Sequence, residues 1–421
     1  MATAAPPIEA VSYTDLYERW EKSNWSAREI DFSTDREDWH ERFSEFERKA
    51  ALWNYALFFW GEDAVTDGLS PYIDAAPLEE QKYFLTTQQV DEARHAIFFA
   101  RWMDEVAGLG STPGEALAAI EPQLTWGFKK VFGRLVTMAD ELRRDRSKPK
   151  LAAAVTLYHM VIEAGLAQPG QHLIQSYLEE RDLMPGFRGG MENVSRDEQR
   201  HIGFGVKLLH DLNKEDPDCR YAVADLLREV TPYTIGVLVP PNWDRRYVEC
   251  FGYTLEEIYV TGVESLYSKL RAAGLDIETL PGPPPLPADL SPEEQASRAI
   301  RLQEAGILGE KIGPPSRDPD DVATLFDVVR RSLDTEQVPH DGFTIEWDFT
   351  DAEPWHLVVA NGDTRAVQGA SEKPELVMRA RFEDFVDIAA GRRDPVRAMA
   401  TGRLRPRGNP VWLWRARKLF G

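Results

Sequence analysis

The sequence predicts two folds in one chain: an all-α helical bundle with extra helices, followed by a small α+β module. Three observations lead to this prediction. Apolar residues recur at helical spacing in long proline-free stretches of the first 285 positions. Nine prolines then interrupt residues 280–319, and beyond them apolar and polar residues alternate in short runs. The length of 421 residues also exceeds what one hydrophobic core usually holds.

The composition is that of a globular protein with a strong excess of acidic residues. Hydrophobic residues make up 43% and charged residues 28%, which excludes a disordered chain. A net charge of −21 argues against a protein that binds nucleic acid along its phosphates. Two cysteines cannot form a disulfide framework, and neither a signal peptide nor a membrane-spanning run is recognised. We therefore expect a cytoplasmic protein with no nucleic-acid partner.

Long helices are expected throughout the first part of the chain, where clear alternating strands are not seen. The helical stretches cover residues 43–69, 78–106, 149–178, 187–212 and 255–273. Four or more long helices joined by short connections predict a bundle.

A proline-rich linker separates the two predicted domains. Runs such as Pro281-Gly-Pro-Pro-Pro-Leu-Pro cannot form the inside of a helix and indicate a stiff, extended connector. The predicted domains are therefore residues 1–285 and 320–421, with the linker at 286–319. Between the proline clusters, residues 293–308 are compatible with one short helix.

The second domain alternates between helix and strand patterns. One amphipathic helix is predicted at residues 322–333 and another helix at 382–390. Strands are predicted at 343–349, 355–359 and 376–382, with a turn at Asn361-Gly362. Residues 379–421 carry eleven Lys and Arg against four Asp and Glu, so this end is basic while the rest of the chain is acidic.

Two copies of a five-residue motif indicate the chemistry of the first domain. Asp-Glu-x-Arg-His occurs at residues 91–95 and again at 197–201. Residue frequencies lead us to expect even one such match by chance in well under ~1% of chains of this length. A Glu and a His three residues apart lie on one face of a helix, at a separation that suits a metal ion.

A single glutamate precedes each motif on a separate predicted helix. Glu62 lies 30 residues before Glu92, and Glu163 lies 35 residues before Glu198. Four-helix bundles use this ligand set, one Glu from each of two helices and Glu-x-x-His from the other two, for dinuclear metal centres. The predicted metal ligands are Glu62, Glu92, His95, Glu163, Glu198 and His201.

The charges of this predicted site are balanced. Four carboxylates offset two divalent metal ions, and oxygen-rich ligation with one nitrogen per metal favours iron or manganese over a thiolate zinc site. Asp91 and Asp197 are candidates to hold the far nitrogen of the histidine on the opposite helix. The alternative, solvated helix faces with unrelated histidines, is disfavoured by the apolar flanks at residues 57–60 and 96–100.

Several stretches of the first domain match one known family in combination. They are Tyr17-Glu-Arg-Trp-Glu, Asn24-Trp-Ser-Ala, Ile30-Asp-Phe, Gly61-Glu-Asp-Ala-Val, Glu92-Ala-Arg-His, Tyr158-His-Met-Val-Ile-Glu and Asp197-Glu-Gln-Arg-His. Together they resemble the ligand-binding oxidases related to the ribonucleotide reductase small subunit, over about residues 13–275. The resemblance implies a ferritin-like fold and, often, a homodimer. It assigns Glu62, Glu92 and His95 to one metal ion. It assigns Glu163, Glu198 and His201 to the other, with Glu92 and Glu198 bridging.

The same resemblance implies what such a centre binds. Members of the family hold two irons or a manganese with an iron, and bind a long-chain fatty acid over the metals. Val65 and Tyr158 match a valine and a tyrosine that become joined by an ether bond when the metals activate O2. Five residues of α-helix turn by about 500°, so Tyr158 should point about 140° away from Glu163. It can flank the site only if the helix bends or widens there.

Two related classes fit less well. A reductase small subunit stores a radical on a tyrosine one turn beyond the first histidine, and Phe99 occupies that position here. Such a subunit also ends in a free tail, whereas this chain continues into another domain. Nothing in the sequence indicates the cage of a storage ferritin.

The C-terminal module resembles a sterol carrier protein domain. The resemblance rests on the helix at 322–333, the strand at 343–349, Asp394-Pro after residues 382–391, Gly402-Arg-Leu with Gly408, and a last helix ending Lys418-Leu-Phe. Such domains hold apolar ligands in a tunnel. Trp347, Trp355, Trp412 and Trp414 either line that tunnel or form plain core, and the second is commoner. The basic end either contacts anionic lipids at a membrane or docks on the acidic bundle, and we favour docking.

These features predict a dinuclear-metal, O2-dependent oxidoreductase acting on a C–H bond of a lipid-like ligand, with an unknown electron donor. The C-terminal domain would recruit an apolar molecule and raise its concentration beside the bundle. Two alternatives stay open. One is a lipid-binding or transfer protein whose metal centre is structural or turns over once. The other is a different oxygenase, such as an arylamine N-oxygenase.

Overall fold

A computed structural model describes residues 8–276, 284–333, 342–360, 363–408 and 411–413. The chain divides into two compact units, residues 1–283 with 288–296 and residues 284–287 with 297–421. The predicted turn at Asn361-Gly362, Trp414 and the predicted last helix lie outside the described residues.

The described part of the first unit is helical. Its α-helices are α1 (Tyr13–Lys22), α2 (Ser33–Glu41), α3 (Glu45–Gly68), α4 (Ser70–Ala75), α5 (Glu79–Glu105), α6 (Pro113–Ile120), α7 (Trp126–Arg144), α8 (Lys148–Val155), α9 (Gln168–Glu180), α10 (Pro185–Glu215), α11 (Cys219–Ile235), α12 (Arg246–Glu249) and α13 (Leu255–Ala272). Short 3₁₀ turns lie at Ile8–Ala10, Ala27–Glu29, Glu121–Gln123, Gly236–Leu238 and Pro241–Trp243. Next along the chain, α14 (Pro292–Glu304) begins in residues of the first unit and ends in residues of the second, and it forms the helix that was predicted between the proline clusters.

Side-chain caps fix the beginnings of two helices that matter for the site. Ser44 and Glu47 form a reciprocal capping box at the start of α3, with Oγ and carboxylate each accepting the other residue's backbone N–H. At the start of α10 the buried carboxylate of Asp35 accepts the N–H groups of Gly186 and Phe187 at 2.9 and 2.6 Å. Both helices therefore begin at defined residues, and the side chains further along them are placed accordingly.

A π-helix, Thr156–Ala167, joins α8 to α9 and makes one continuous helix of the three. The predicted helix over residues 149–178 is thus present, but its middle is wider than an α-helix. Hydrogen bonds in a π-helix run from residue i to i+5, so five residues come close to one full turn. For this reason Tyr158 and Glu163 line the same cavity, and the 140° separation expected of a regular helix does not apply.

The same composite helix, Lys148–Glu180, is long and apolar enough to cross a membrane by length and composition. Within the protein, however, 78% of its most apolar window is buried, as is usual for the central helix of a bundle.

Two glycines let α10 approach its neighbours closely. A Cβ atom on Gly190 would lie 2.1 Å from the ring of Phe98 on α5, and one on Gly205 would lie 2.3 Å from the side chain of His159 on the π-helix. A side chain at either position would force the helices apart. The absence of a Cβ at both positions therefore contributes to the close packing of the helices that carry the predicted ligands.

The second unit combines helices with a five-stranded sheet. Its elements are α15 (Pro319–Arg331), β1 (Phe343–Phe349), β2 (Trp355–Ala360), β3 (Asp363–Gln368), β4 (Leu376–Ala380), α16 (Phe382–Ala389), α17 (Pro395–Ala400) and β5 (Leu404–Gly408). The strand order is β3-β2-β1-β4-β5, with β1 and β4 parallel and the other pairs antiparallel. The predicted strand at 376–382 ends two residues early, at Ala380, because Phe382 begins α16.

Aromatic side chains form the core of this unit. Phe326 on α15 stacks on Trp355 and Phe385, with ring centroids 4.6 and 5.4 Å apart, and Trp347 packs against the same cluster. Trp347 and Trp355 are buried, and Trp412 stacks on Phe343 at 4.7 Å. Trp347 and Trp355 therefore pack as core, the commoner of the two roles expected for them, and the half-buried Trp412 packs against that core.

Candidate metal centre and its apolar cavity

Four helices bring the six predicted ligands together. Glu62 comes from α3, Glu92 and His95 from α5, Glu163 from the π-helix, and Glu198 and His201 from α10. All six side chains are buried. Their ligand atoms form two overlapping groups in which every atom lies within 4.8 Å of the others: Glu62, Glu92, His95 and Glu198, and Glu92, Glu163 and His201.

Each histidine faces three carboxylates through Nδ1. Nδ1 of His95 lies 3.2 Å from Glu62 Oε2, 3.5 Å from Glu92 Oε2 and 3.5 Å from Glu198 Oε1. Nδ1 of His201 lies 3.2 Å from Glu92 Oε1, with Glu198 Oε2 at 3.6 Å. Glu163 Oε1 lies 3.6 Å from the same nitrogen. Glu92 and Glu198 thus turn one oxygen to each histidine, which is the arrangement expected of bridging carboxylates.

The opposite nitrogen of each histidine is held by an aspartate from the other motif. Nε2 of His95 lies 3.2 Å from Asp197 Oδ2, and Nε2 of His201 lies 3.1 Å from Asp91 Oδ2. An Nε2–H that donates to the aspartate leaves the Nδ1 lone pair facing the carboxylates. A ring of acceptors facing one another requires a cation, or protons, between them.

Two half-buried tryptophans extend these contacts. Trp25 Nε1 donates to Asp197 Oδ2 at 2.8 Å, and Trp20 Nε1 donates to Asp91 Oδ1 at 2.8 Å. Each histidine is thus the inner end of a chain from tryptophan to aspartate to imidazole. The sequence analysis assigned these tryptophans no role, although both stand in the stretches that carry the family resemblance.

The motif arginines join the two aspartates. Arg200 lies 2.9 Å from Asp91 and 2.7 Å from Asp197, and Arg94 contacts both aspartates as well, at 3.1 Å from Asp197. Burial alone would raise the pKa of Asp197, but the hydrogen bond from His95 and the charge of Arg200 hold it below its usual range. The arginines were part of the repeated motif, yet sequence reasoning gave them no function.

The pKa values of the buried carboxylates and histidines are shifted by burial and by the four carboxylates that lie close together. Burial raises the pKa of Glu62 and of Glu163 well above the usual value. Burial alone would lower the pKa values of His95 and His201, but the surrounding carboxylates raise both well above the usual value. Glu92 has its pKa held well below normal by the two histidines, against the effect of burial. Without a cation the site therefore balances its charge with protons, which divalent ions would replace.

Several inward-facing atoms lack hydrogen-bond partners among the described residues. They include Oε2 of Glu163, Oε2 of Glu198 and Nδ1 of His201. Buried polar atoms are rarely left unsatisfied. Four carboxylates and two imidazoles, with orphaned atoms aimed at the centre, fit two metal ions of the iron or manganese type.

Gln88 is a site residue that the sequence analysis missed. Its amide nitrogen donates to Glu163 Oε1 at 2.9 Å and to the Tyr158 hydroxyl at 3.1 Å, while that hydroxyl donates to Glu92 Oε1 at 2.6 Å. Burial lowers the pKa of His159 to about 3, so its neutral ring can donate from Nε2 to Gln88 Oε1 at 3.2 Å. This bond orients the amide toward the carboxylate. The only sequence signal was its position four residues before Glu92.

An apolar cavity of about 670 Å³ opens onto the carboxylates. Its walls include Glu62, Glu92, Glu163 and Glu198, and both Val65 and Tyr158. The rest is predominantly apolar: Leu57, Phe58, Phe128, Phe132, Ile162, Leu166, Val237 and Leu238, among others. The two residues predicted to form a crosslink therefore line one cavity with the predicted ligands.

A family model described as "Ribonucleotide reductase, small chain" matches residues 4–232, more than half of the chain. The chain belongs to this family. Phe99, which stands at the position where the sequence analysis expects the radical tyrosine of a reductase, is buried and stacks on Phe58 with centroids 6.1 Å apart. A second model, the SCP-2 sterol transfer family, matches residues 326–420, in the second unit.

Solved structures similar to this chain are R2-like ligand-binding oxidases. A glycine-to-phenylalanine variant with anaerobically reconstituted Mn/Fe cofactor is 26% identical, with 62% of this chain and 94% of that chain covered and a TM-score of 0.54. A tyrosine-to-phenylalanine variant with the same cofactor is 25% identical, with 62% and 93% covered and a TM-score of 0.54. A glycine-to-leucine variant with aerobically reconstituted Fe/Fe cofactor is 24% identical, with 62% of this chain and 93% of that chain covered and a TM-score of 0.55. At this level of identity the similarity supports the fold only.

These comparisons bear directly on the sequence predictions. The family, the ferritin-like core with a small sterol-carrier-like α+β unit, and the class of dinuclear-metal oxidoreductase are confirmed. The apolar ligand and the crosslink between Val65 and Tyr158 stay predictions.

Proposed function

We propose that this chain binds a Mn/Fe or Fe/Fe pair and uses O2 to oxidise a C–H bond of a lipid-like ligand of the long-chain fatty acid type. The ligands would be Glu62, Glu92, His95, Glu163, Glu198 and His201. The observation that supports this most is the cavity, whose predominantly apolar walls include four of these carboxylates. An apolar chain bound there would lie beside the metal pair. When bound, that pair supplies the reduction of O2 and the oxidising power for C–H cleavage.

The residues of the chain would control access and orientation. Phe58, Phe128 and Phe132 contribute to the apolar walls, which exclude water and so protect a strong oxidant from side reactions. Asp91 and Asp197 hold the histidine rings in place through Nε2. The geometry of the site would thus be set before any ligand enters.

Tyr158 is positioned to give up its phenolic proton. Burial and the carboxylates of Glu92 and Glu163 raise its pKa well above the usual value, so the phenol stays neutral until it reacts. Its hydroxyl donates to Glu92 Oε1 at 2.6 Å. The phenolic O–H thus points at Glu92, but the pKa of Glu92 is held well below normal, so the proton would leave only as the phenol is oxidised.

An ether bond between Val65 and Tyr158 forms part of the proposal. It would join a side-chain carbon of Val65 to the phenolic oxygen, with loss of one hydrogen from each residue. The two electrons and two protons released would pass to O2, the oxidant. Both residues line the cavity, and a bond between them would reshape the wall against which a ligand lies.

The second unit would serve the same reaction by holding an apolar molecule. It matches the SCP-2 sterol transfer family, and it is tethered to the bundle in one chain. A tether raises the local concentration of a bound molecule near the partner domain without any new contact. Contact of the basic C-terminal residues with anionic membranes stays a prediction, and flotation with anionic vesicles tests it.

Reconstitution tests the proposal. The purified chain, loaded anaerobically with Mn²⁺ and Fe²⁺ and then exposed to O2, should contain two metal ions, consume O2 and oxidise an added or co-purified fatty acid. Peptide mass spectrometry should show a joined pair of peptides, carrying Val65 and Tyr158, that lacks two hydrogens. The Tyr158→Phe variant should lack this product and keep both metal ions. A chain that binds no metal, or that consumes no O2 when loaded, would contradict the proposal.

One observation favours a second candidate, a centre that turns over once on its own side chains. Tyr158 is hydrogen-bonded to the predicted bridging residue Glu92, so the nearest oxidisable group belongs to the protein itself. A crosslink without a product from any added lipid would support this alternative. A co-purified polar arylamine would instead favour an N-oxygenase.

A further inference from the structure

Glu198 lines two cavities of opposite character. The first is the apolar cavity described above. The second is a groove formed by α9, α10 and α13, of about 1060 Å³ when the space open to solvent is counted. Amide and hydroxyl side chains are the commonest in its walls, which also include His172, Glu264 and Lys269, so a buried predicted ligand of the metal centre has polar surroundings on this side.

The polar walls arise from the spacing of residues on neighbouring helices. Gln168, Gln171 and Gln175 stand on one face of α9, and Thr261, Ser265 and Ser268 stand on one face of α13. Thr261 and Ser268 are exposed, and Ser265 donates to Gln168 Oε1 at 2.8 Å across the two helices. Gln171 and Glu198 are buried, so the pocket leads from solvent to a buried predicted ligand.

A hydrogen-bonded network leads along α10 toward Glu198. Ser195, one turn before Glu198, donates to Gln171 Oε1 at 3.2 Å and accepts from Gln175 Nε2 at 3.0 Å. Gln171 is only 3% exposed, and its amide nitrogen has no partner among the described residues. This free N–H group needs an acceptor, which a water molecule in the pocket would supply.

We propose that this pocket is the entrance through which hydrated divalent metal ions reach the centre, with Glu198 as the first ligand they meet. The inference rests on the proposed metal centre. Apolar walls would force an ion to lose its water at high cost, whereas a pocket with polar walls lets it stay hydrated until it meets Glu198. Behind Glu198 lie the other three buried carboxylates of the centre, which attract cations, while the pocket walls add one charge of each sign, Glu264 and Lys269.

Access and position fit a hydrated ion. The pocket opens to solvent, because Thr261 and Ser268 in its walls are exposed, so an ion can enter it with its water shell. A proton path would need only a single file of waters. Glu198 turns one oxygen to His95 and the other to His201, so an ion bound to it could be passed to either position.

The rate of metal uptake tests the entrance independently of activity. Binding of Mn²⁺ alone to the metal-free chain is followed through the loss of the EPR signal of free Mn²⁺. Ser195→Leu should take up Mn²⁺ at least about tenfold more slowly than wild type, and should reach the same final Mn²⁺ content. Ser176→Leu, a matched change on α9 outside the pocket, and Leu166→Phe, which narrows the apolar cavity, should fill at the wild-type rate.

Each other outcome overturns a defined part of the inference. If Ser195→Leu takes up Mn²⁺ at the wild-type rate, the entrance lies elsewhere. The same conclusion follows if only Leu166→Phe takes up Mn²⁺ slowly. If Ser195→Leu does not fold, or does not reach the wild-type Mn²⁺ content, the uptake rate of Gln175→Leu is measured instead. The side chain of Gln175 is only half-buried, so this variant should fold, and its Mn²⁺ uptake should be slow if the pocket is the entrance. A wild-type chain that binds no Mn²⁺ and no Fe²⁺ at equilibrium would refute the metal centre itself, and the entrance with it.

Discussion

The two halves of the centre repeat one chain of contacts. In the half built on Glu62, His95 contacts Asp197, which accepts from Trp25. In the half built on Glu163, His201 contacts Asp91, which accepts from Trp20. The repeated motif thus generates the same ligand and the same support twice, with each aspartate serving the histidine of the other helix.

The surroundings of the two halves differ. Glu62 stands in a regular helix, and the ring of Trp25 stacks on His95 with centroids 6.1 Å apart. Glu163 stands in the π-helix and receives a hydrogen bond from Gln88, which also holds Tyr158. Hydrogen bonds to a ligand tune its basicity and its metal. The comparison teaches that a repeated motif can supply two unequal positions, as a centre with two different metals requires.

Removing a residue shared by both halves should have the largest effect. Glu92 turns an oxygen to each histidine, so Glu92→Ala should lose both metal ions and all O2 consumption. His201→Ala should abolish O2 consumption, while the metal position beside Glu62 and His95 should still bind its ion. Metal content per chain and an oxygen electrode measure both effects. Full activity of either variant would refute the assignment of the ligands.

Removing one supporting aspartate should affect one half more than the other. Asp197→Asn is expected to weaken metal binding beside His95, and Asp91→Asn beside His201, each by about 10- to 100-fold. Competition with a chelator, titrated metal by metal, measures the two affinities. Asp211→Asn serves as a control, because Asp211 binds Tyr13 and Lys207 instead. Equal losses at both positions in both variants would contradict independent support of the halves.

Gln88→Leu should act mainly on the half of Glu163, since its contact with the shared Glu92 Oε1 is long, at 3.5 Å. It removes the donor to Glu163 and to Tyr158, so the yield of the crosslink should fall severalfold while the position beside Glu62 still fills. Gln89→Leu is the matched control, since Gln89 donates to the backbone of Thr66. Quantitative mass spectrometry of the crosslinked peptides makes the comparison, and an unchanged yield would show that Gln88 does not position Tyr158.

The smallest effects are expected from the tryptophans. Trp20→Phe and Trp25→Phe each remove one hydrogen bond to a buried carboxylate, at a cost of about 1–2 kcal/mol in the free energy of unfolding. Trp25→Phe should cost slightly more, because the stacking on His95 is altered too. Denaturant unfolding of the metal-free chain measures the difference, and no loss in either variant would show that these bonds are dispensable.

The predicted ligands could be found in the sequence because each motif is contiguous and helical. In any α-helix, a spacing of three residues places Glu92 and His95 on one face, independently of how the rest of the chain folds. Glu62 and Glu163 followed from the repeat and from their apolar flanks. Gln88 could not be found in the same way, since a single glutamine on a long helix has no local pattern of its own.

Elements set by tertiary packing were also hard to predict. The apolar run of residues 156–167 has the same periodicity whether the helix is regular or widened, so only the folded chain distinguishes the two. Strands β3 and β5 lie at the edges of their sheet and are largely polar, so they lack the alternation that predicted β1 and β2.

The widened helix has a consequence for how this site could change over time. With all residues kept, ordinary α-helical winding would place Tyr158 about 140° from Glu163, so substitutions that restore regular winding would turn the phenol away from the carboxylates by roughly a quarter-turn or more. Deleting one residue between them would instead leave the two side chains four positions apart and still on one face. Substitutions that change only the winding could therefore separate an enzyme that modifies itself from one that cannot, with every metal ligand kept.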